Sequence, residues 1–356
     1  MKIIHTSDLH IGSPMSAHLE GERLRERRRE LSEVLLRLID EARNIGADAI
    51  IIAGDLFDTE NQSRRVLDSV IGSIRQNSSL TFFYLPGNHE GDLIGRSFDA
   101  LPKNLLIFGK EWTYFDSGKV TVCGRSDCRA GMAAELRLRP ERQNIAVLHG
   151  ELRESEGDGR IGVRELSGLG IDYLALGHYH TYSERRIDGR GVAVYSGSPE
   201  GRGFDEVGEL GYVLIEADER GIRHSFRPFA KRRIRIVDVE LDGLSTVEDI
   251  YARCDAELRG VSEEDIVRLR LCGRSLPELY KDTEGLRRRY GRRFFYLEVK
   301  DESGIRIDPR DYEHSRSLKG EFIRRVLADP TLDEKKRSAI IGCGIHALLG
   351  ENYFDV

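Results

Sequence analysis

Five short clusters of metal-ligand side chains punctuate the first half of the sequence: Asp8-Leu9-His10, Gly54-Asp55, Gly87-Asn88-His89-Glu90, His149-Gly150 and Gly177-His178-Tyr179-His180. They offer carboxylate, imidazole and carboxamide donors without a thiolate. That donor set suits borderline or hard divalent ions such as manganese, iron or zinc in open coordination shells, and it implies no redox chemistry. A lone Asp-x-His is more often a surface turn than a ligand pair. Here, however, five of the ten histidines (His10, His89, His149, His178 and His180) fall inside the clusters.

Each cluster follows an apolar, β-branched run: Ile3-Ile4, Ala49 to Ile52, Thr81 to Leu85, Ile145 to Leu148 and Tyr173 to Leu176. Strand ends along one edge of a sheet converge in space, and glycines permit the tight turns that bring distant ligands together. Between these runs, apolar residues at helical spacing (Leu24, Leu31, Leu35 and Leu38, then Val66 to Ile74) predict helices and a βαβ opening. Further strands are expected near Lys119 to Cys123, Val192 to Tyr195, Gly211 to Ile215 and Ile222 to Phe229. The pattern predicts an α/β fold, a two-sheet β-sandwich flanked by helices, over residues 1 to about 231.

A basic segment, Lys231-Arg232-Arg233, leads into strand-like runs at Ile234 to Leu241, Val267 to Leu271 and Phe294 to Lys300, with a helical stretch from Val247 to Leu258. Residues 232–315 are therefore expected to form a small α+β domain. Residues 316–356 carry two amphipathic patterns split by Asp329-Pro330, which predict two helices.

At 356 residues the chain exceeds what one core usually supports. Hydrophobic residues at 39% and charged residues at 33% exclude disordered and fibrous classes. A formal net charge of −6 means that any contact with nucleic acid must be made by local basic clusters. Five cysteines without a C-x-x-C pair argue against a disulfide framework or a thiolate zinc site. With no signal-peptide pattern and no run long enough to span a bilayer, a soluble cytoplasmic protein is expected.

The ordered set D-x-H, GD, GNHE, HG and GHxH resembles the calcineurin-like metallophosphoesterases. That resemblance implies that Asp8, His10 and His180 hold one ion, that Asn88, His149 and His178 hold a second, and that Asp55 bridges them. Two ions roughly 3.5–4 Å apart bind both non-bridging oxygens of a phosphodiester and acidify a water. His89, following Asn88, is the implied general acid. His5 is read as a core histidine.

The blocks HTSDLHIGSP, IIAGDLFD, YLPGNHE and YSGSPEGRGFDEVGELGYVLI resemble SbcD-type nucleases of DNA double-strand-break repair, especially the shorter YhaO-like branch. This implies a manganese-dependent 3′–5′ exonuclease, with endonuclease activity left open. It further implies residues 232–315 as a cap that contacts DNA, residues 316–356 as helices that dock an SbcC-like coiled-coil ATPase, and a homodimer. One departure is Asp58, where archaeal and eukaryotic relatives commonly have histidine. Asp58 has two readings, orienting His10 or capping the following turn.

Two basic stretches could contact DNA. Arg287 to Phe294 interleaves arginines with aromatics, and Arg288, Arg289 and Arg292 are its candidates; a solvated helix end is the competing reading. Arg232 and Arg233, beside Lys231 and Arg235, form the second. The rival functions are a phosphodiesterase for a small nucleotide, against which the long C-terminal extension weighs, and a non-catalytic scaffold, against which the complete ligand set weighs.

Overall fold

The computed structural model describes residues 1–14, 19–276, 279–306 and 314–348. His18 and residues 349–356 of the C-terminal segment lie outside the described residues. The chain divides into two compact units, Met1–Ile234 and Arg235–Val356.

In the first unit the elements run β1 (Lys2–Thr6), α1 (Gly21–Ser32), α2 (Val34–Asn44), β2 (Ala49–Ala53), α3 (Arg64–Gln76), β3 (Thr81–Leu85), α4 (Leu93–Ser97), β4 (Leu105–Ile107), β5 (Thr113–Ser117) and β6 (Val120–Gly124). They continue through β7 (Gln143–His149), β8 (Glu151–Arg153), β9 (Arg160–Gly162), α5 (Val163–Leu166), β10 (Tyr173–Gly177), β11 (Ser183–Arg186), β12 (Val192–Tyr195), β13 (Gly211–Asp218) and β14 (Gly221–Pro228). Two six-stranded sheets result, in the orders β14-β13-β1-β2-β3-β4 and β11-β12-β10-β7-β6-β5. The expected two-sheet α/β fold is observed.

Alternation along the strands builds the layers. Ile3, Ile51, Phe83 and Leu85 from the first sheet meet Val122, Ile145, Val147, Ala175 and Val194 from the second. The opposite faces carry Ile4, Ile50, Ile52 and Phe82, packed under Leu35, Leu38, Val70 and Ile74 of the helices. Because both faces of the central strands are covered, β2 reads AIIIA with every residue buried. His5 lies between the sheets, where its Nδ1 meets the Tyr173 hydroxyl at 2.8 Å. The single helical pattern through Leu24 and Leu38 divides into two helices at Glu33, whose backbone sits at φ −91°, ψ 0°.

β1, β2, β3 and β4 run parallel, as do β6, β7, β10 and β12. The carboxyl ends of β1, β2 and β3 in one sheet, and of β7 and β10 in the other, are therefore the chain segments that carry the five ligand clusters.

In the second unit, β15 (Ile234–Glu240), β16 (Ile266–Cys272) and β18 (Tyr296–Asp301) form a sheet. It packs on α6 (Val247–Glu257) and α7 (Thr283–Tyr290) through Val239, Leu269, Val299, Ile250, Leu286 and Tyr290. Thr246 and Asp249 cap α6 reciprocally. β17 (Arg274–Ser275) and β19 (Gly304–Ile305) form a short ladder. Two helices, Leu318–Ala328 and Glu334–Leu348, close Ile323, Val326, Ile341 and Ile345 into a core of their own.

Candidate metal centre

The backbone bends sharply where the ligands leave their strands. Among the described residues, the non-glycine positions with positive φ are Asp8 (53°), His10 (46°), Asp55 (50°) and His178 (112°), all of them sequence-selected ligands. Side chains are rarely held there unless surrounding structure over-determines them, and such strain concentrates at functional sites. The loops after β1 and β2 are laced together by Asp8 N to Gly54 O at 3.0 Å, His10 N to Asp55 O at 3.0 Å and Ile11 N to Leu56 O at 2.9 Å. At Gly54, with φ of 93°, a Cβ would stand 2.0 Å from His149 Nδ1, so no larger residue fits.

Asp8, His10 and His180 form one tight group of ligand atoms; Asp8, Asp55 and His149 form another; His10, Asp58 and His89 form a third. His10 Nε2 and His180 Nε2 face each other at 3.3 Å. Asp55 Oδ2 lies 4.0 Å from His10 Nε2 and 3.3 Å from His149 Nε2, between the two sides of the site. Asn88 Oδ1 is 2.8 Å from His149 Nε2. The exposed His178 ring lies 5.6 Å from that of His149, outside the tight groups, while its backbone N–H donates to Asp8 Oδ2 at 3.1 Å.

These residues fit divalent ions on the chemistry of their donors. His149 gives Nδ1–H to the Ala53 carbonyl at 2.9 Å, which turns Nε2 inward. His180 Nδ1 meets the buried Glu206 carboxylate at 2.6 Å, and His10 Nδ1 lies 3.3 Å from Asp58. The His180–Glu206 contact directs His180 Nε2 toward His10 Nε2 among carboxylate oxygens, while His10 Nδ1 is buried beside Asp58 without a hydrogen bond to it. A cation resolves that arrangement. Burial and then the Asp55 carboxylate act in opposite directions on His149, and the carboxylate wins, pushing it up to about 9. Burial opposes ionisation of Asp55 too, yet its partners, His149 foremost, hold it down at about 2. Burial and the Arg202 charge bring His10 down to about 3.

His89 stands at the open side. Its side chain is 46% exposed, its Nδ1 lies 3.1 Å from the Asp58 carbonyl, and Nε2 is 4.0 Å from Asp55 Oδ2. With Nδ1–H donating to that carbonyl, Nε2 is directed at the site.

Several supporting residues were not singled out by sequence reasoning. Glu90, fully buried, accepts from Leu56 N at 3.0 Å, Phe57 N at 2.7 Å and Gly87 N at 3.1 Å, fastening the loop after β2 to the Asn88-His89 turn. Ser7 donates to Asp8 Oδ2 at 2.6 Å, and Ser198 donates to the Asp8 carbonyl at 2.6 Å. The signal for Glu90 was its place in GNHE; Glu206 and Arg202 sit in the block after Ser196 without a local pattern to mark them. Asp58, read two ways from sequence, faces His10.

The basic candidates separate. Arg232 is 3% exposed and hydrogen-bonded to Glu30 at 2.8 Å and to Glu26 at 2.9 Å, which corrects its reading as a DNA contact: it holds the fold together. Arg233 is half exposed and paired with Glu209 at 2.8 Å. On α7, Arg288 is 74% exposed and Arg289 pairs with Asp255 at 2.7 Å over the Tyr251 ring, while Arg292 is exposed beyond the helix.

The chain is 30% identical over 249 residues to the uncharacterized metallophosphoesterase YhaO of Bacillus subtilis (strain 168), a match covering 64% of the chain and 60% of that protein. It is 28% identical over 240 residues to the DNA double-strand break repair protein Mre11 of Sulfurisphaera tokodaii, covering 60% of the chain and 59% of that protein. The Saccharolobus solfataricus Mre11 matches at 24% over 343 residues, covering 88% and 85% respectively. The first two matches thus span less than two thirds of those relatives' length. The calcineurin-like phosphoesterase family profile matches residues 1–182, the segment that contains all five ligand clusters, and the chain belongs to that family of divalent-metal phosphoesterases.

Proposed function

We propose that the protein is a manganese-dependent DNA nuclease, a 3′–5′ exonuclease, that hydrolyses phosphodiester bonds in double-strand-break repair together with an SbcC-like ATPase. The observation that carries this reading is the convergence of Asp8, His10, Asp55, Asn88, His149 and His180 on one site, with His178 at its margin, in a chain similar to two Mre11 proteins.

Two divalent ions, when bound, would neutralise the non-bridging phosphate oxygens and acidify a water. Asp8, His10 and His180 would hold one, Asn88, His149 and His178 the other, and Asp55 both. The Ala53 carbonyl keeps His149 turned inward and the Glu206 carboxylate does the same for His180, while Asp58 stands beside His10. His89 presents Nε2 on the exposed side, where it holds the proton that the departing oxygen takes up. For DNA, Arg288, Arg289, Arg292 and Arg233 supply positive charge at the surface. For the ATPase, exposed Leu318, Ile340 and Leu348 give the C-terminal helices an apolar face to dock. No helix of the described residues is long and apolar enough to cross a membrane, in keeping with a cytoplasmic enzyme, and a homodimer belongs to the same reading.

The test is degradation of an end-labelled DNA duplex by the purified protein with manganese, beside a chromogenic diester, with Asp55→Ala as control. Manganese-dependent DNA cleavage that the variant lacks supports the nuclease. Diester hydrolysis with DNA left intact, even after addition of an SbcC-like ATPase, supports a small-nucleotide phosphodiesterase instead.

A further inference from the structure

We propose that Arg202 is a positioning residue that sets two of the candidate ligand imidazoles at once, by fastening together the two carboxylates that stand behind them. Its Nη1 donates to Asp58 Oδ1 at 3.0 Å. Its Nε and Nη2 donate to Glu206 Oε1 at 3.0 and 2.8 Å, and its backbone N–H donates to Glu206 Oε2 at 2.6 Å. Asp58 Oδ1 is the atom that lies 3.3 Å from His10 Nδ1, and Glu206 Oε1 is the atom that lies 2.6 Å from His180 Nδ1.

One guanidinium therefore joins two arms: His10 with Asp58, and His180 with Glu206. His10 follows β1 and His180 follows β10, in different sheets, so their Nε2 atoms come to 3.3 Å of each other only if both rings are aimed from behind. The fixed fork of arginine suits this task, since it reaches two carboxylates in one plane. The guanidinium side chain is 16% exposed and Glu206 is 2% exposed, so the pairing is largely shielded from solvent. The guanidinium also stands against one ring directly, with Nη2 3.2 Å from His180 Nδ1.

Arg202 makes no claim on the substrate. The inference rests on the two-ion reading of the site, and the experiment separates the two. Full-length protein stripped with a chelator is titrated calorimetrically with manganese, and with cobalt(II) read by its visible absorption. Wild type is expected to take up two equivalents. Arg202→Gln is expected to weaken one equivalent by about 10–100-fold and to alter its cobalt spectrum, leaving the other equivalent as in wild type. Glu206→Gln should weaken the same equivalent, and the double variant should lose less than the two single losses combined, because both act through one unit. Arg202→Lys, which keeps the charge but cannot span both carboxylates, should show the same selective loss, and it carries the test if Arg202→Gln fails to fold. Wild-type affinity and spectrum in a folded Arg202 variant would overturn the inference alone, as would an equal loss of both equivalents. Fewer than two equivalents in wild type would overturn the two-ion reading and this inference together.

Discussion

His89 stands at the open side of the candidate site, with Nε2 4.0 Å from Asp55 Oδ2. A backbone carbonyl, that of Asp58, engages Nδ1, so the ring is oriented without an ion. Replacing it with alanine should lower diester hydrolysis by about 10²–10⁴-fold, the usual contribution of a positioned acid or base, while manganese uptake stays as in wild type. Calorimetric titration beside an activity assay checks this, and normal turnover in His89→Ala would remove its catalytic role. At this scale the site was largely legible, because Asp8, His10, Asp55, Asn88, His149, His178 and His180 sit in short motifs with glycines that only tight turns require. Glu206 and Arg202 were not, since a charged side chain that holds a ring from behind looks in sequence like any surface charge. Arg232 misled for the same reason: a run of basic residues does not reveal that Glu30, 202 positions away, will bury one of them.

Helix α1 illustrates how an element is held by charge. Arg27, fully buried, reaches Glu30 at 2.9 Å and Glu200 at 2.6 Å, and Arg232 and Lys231 complete the cluster around Glu30. Burial pulls the Glu30 carboxyl upward from its ordinary 4.5, but the hydrogen-bonded Arg232, Lys231 and Arg27 outweigh it and hold the group at about 2. A carboxylate depressed in the folded state contributes stability that is complete above its ordinary range and lost as the pH falls from about 4.5 toward 2. Urea unfolding midpoints should therefore decline through that window in wild type. In Glu30→Gln the midpoint should be lower at neutral pH and the decline shallower; parallel curves would show that the cluster contributes no such linkage. The strands around it were readable from apolar runs, whereas the split of one helical pattern at Glu33 was not, because α2 packs on the sheet while α1 is held by the ion pairs of Arg27 and Glu30.

The two units each contain a core, and the full ligand set lies in the first. A chain ending at Ile234 should fold, take up manganese and hydrolyse a small diester at a rate within a few-fold of the whole protein, while DNA degradation falls much further because the exposed arginines of α7 are gone. A loss of folding in the fragment, seen as the absence of a cooperative thermal transition, would refute the first part; undiminished DNA degradation would refute the second. The sequence by itself determined the fold class and picked out the candidate ligand clusters, since strand periodicity and the placement of Asp, Asn and His after apolar runs are local properties that a linear reading captures. Only the tertiary structure decided which carboxylate faces which imidazole, that Glu90 clamps two loops, that Arg232 is interior and that Arg202 links Asp58 to Glu206. Those contacts join residues far apart in the chain, and a side chain's role there is fixed by what packing brings within hydrogen-bond distance.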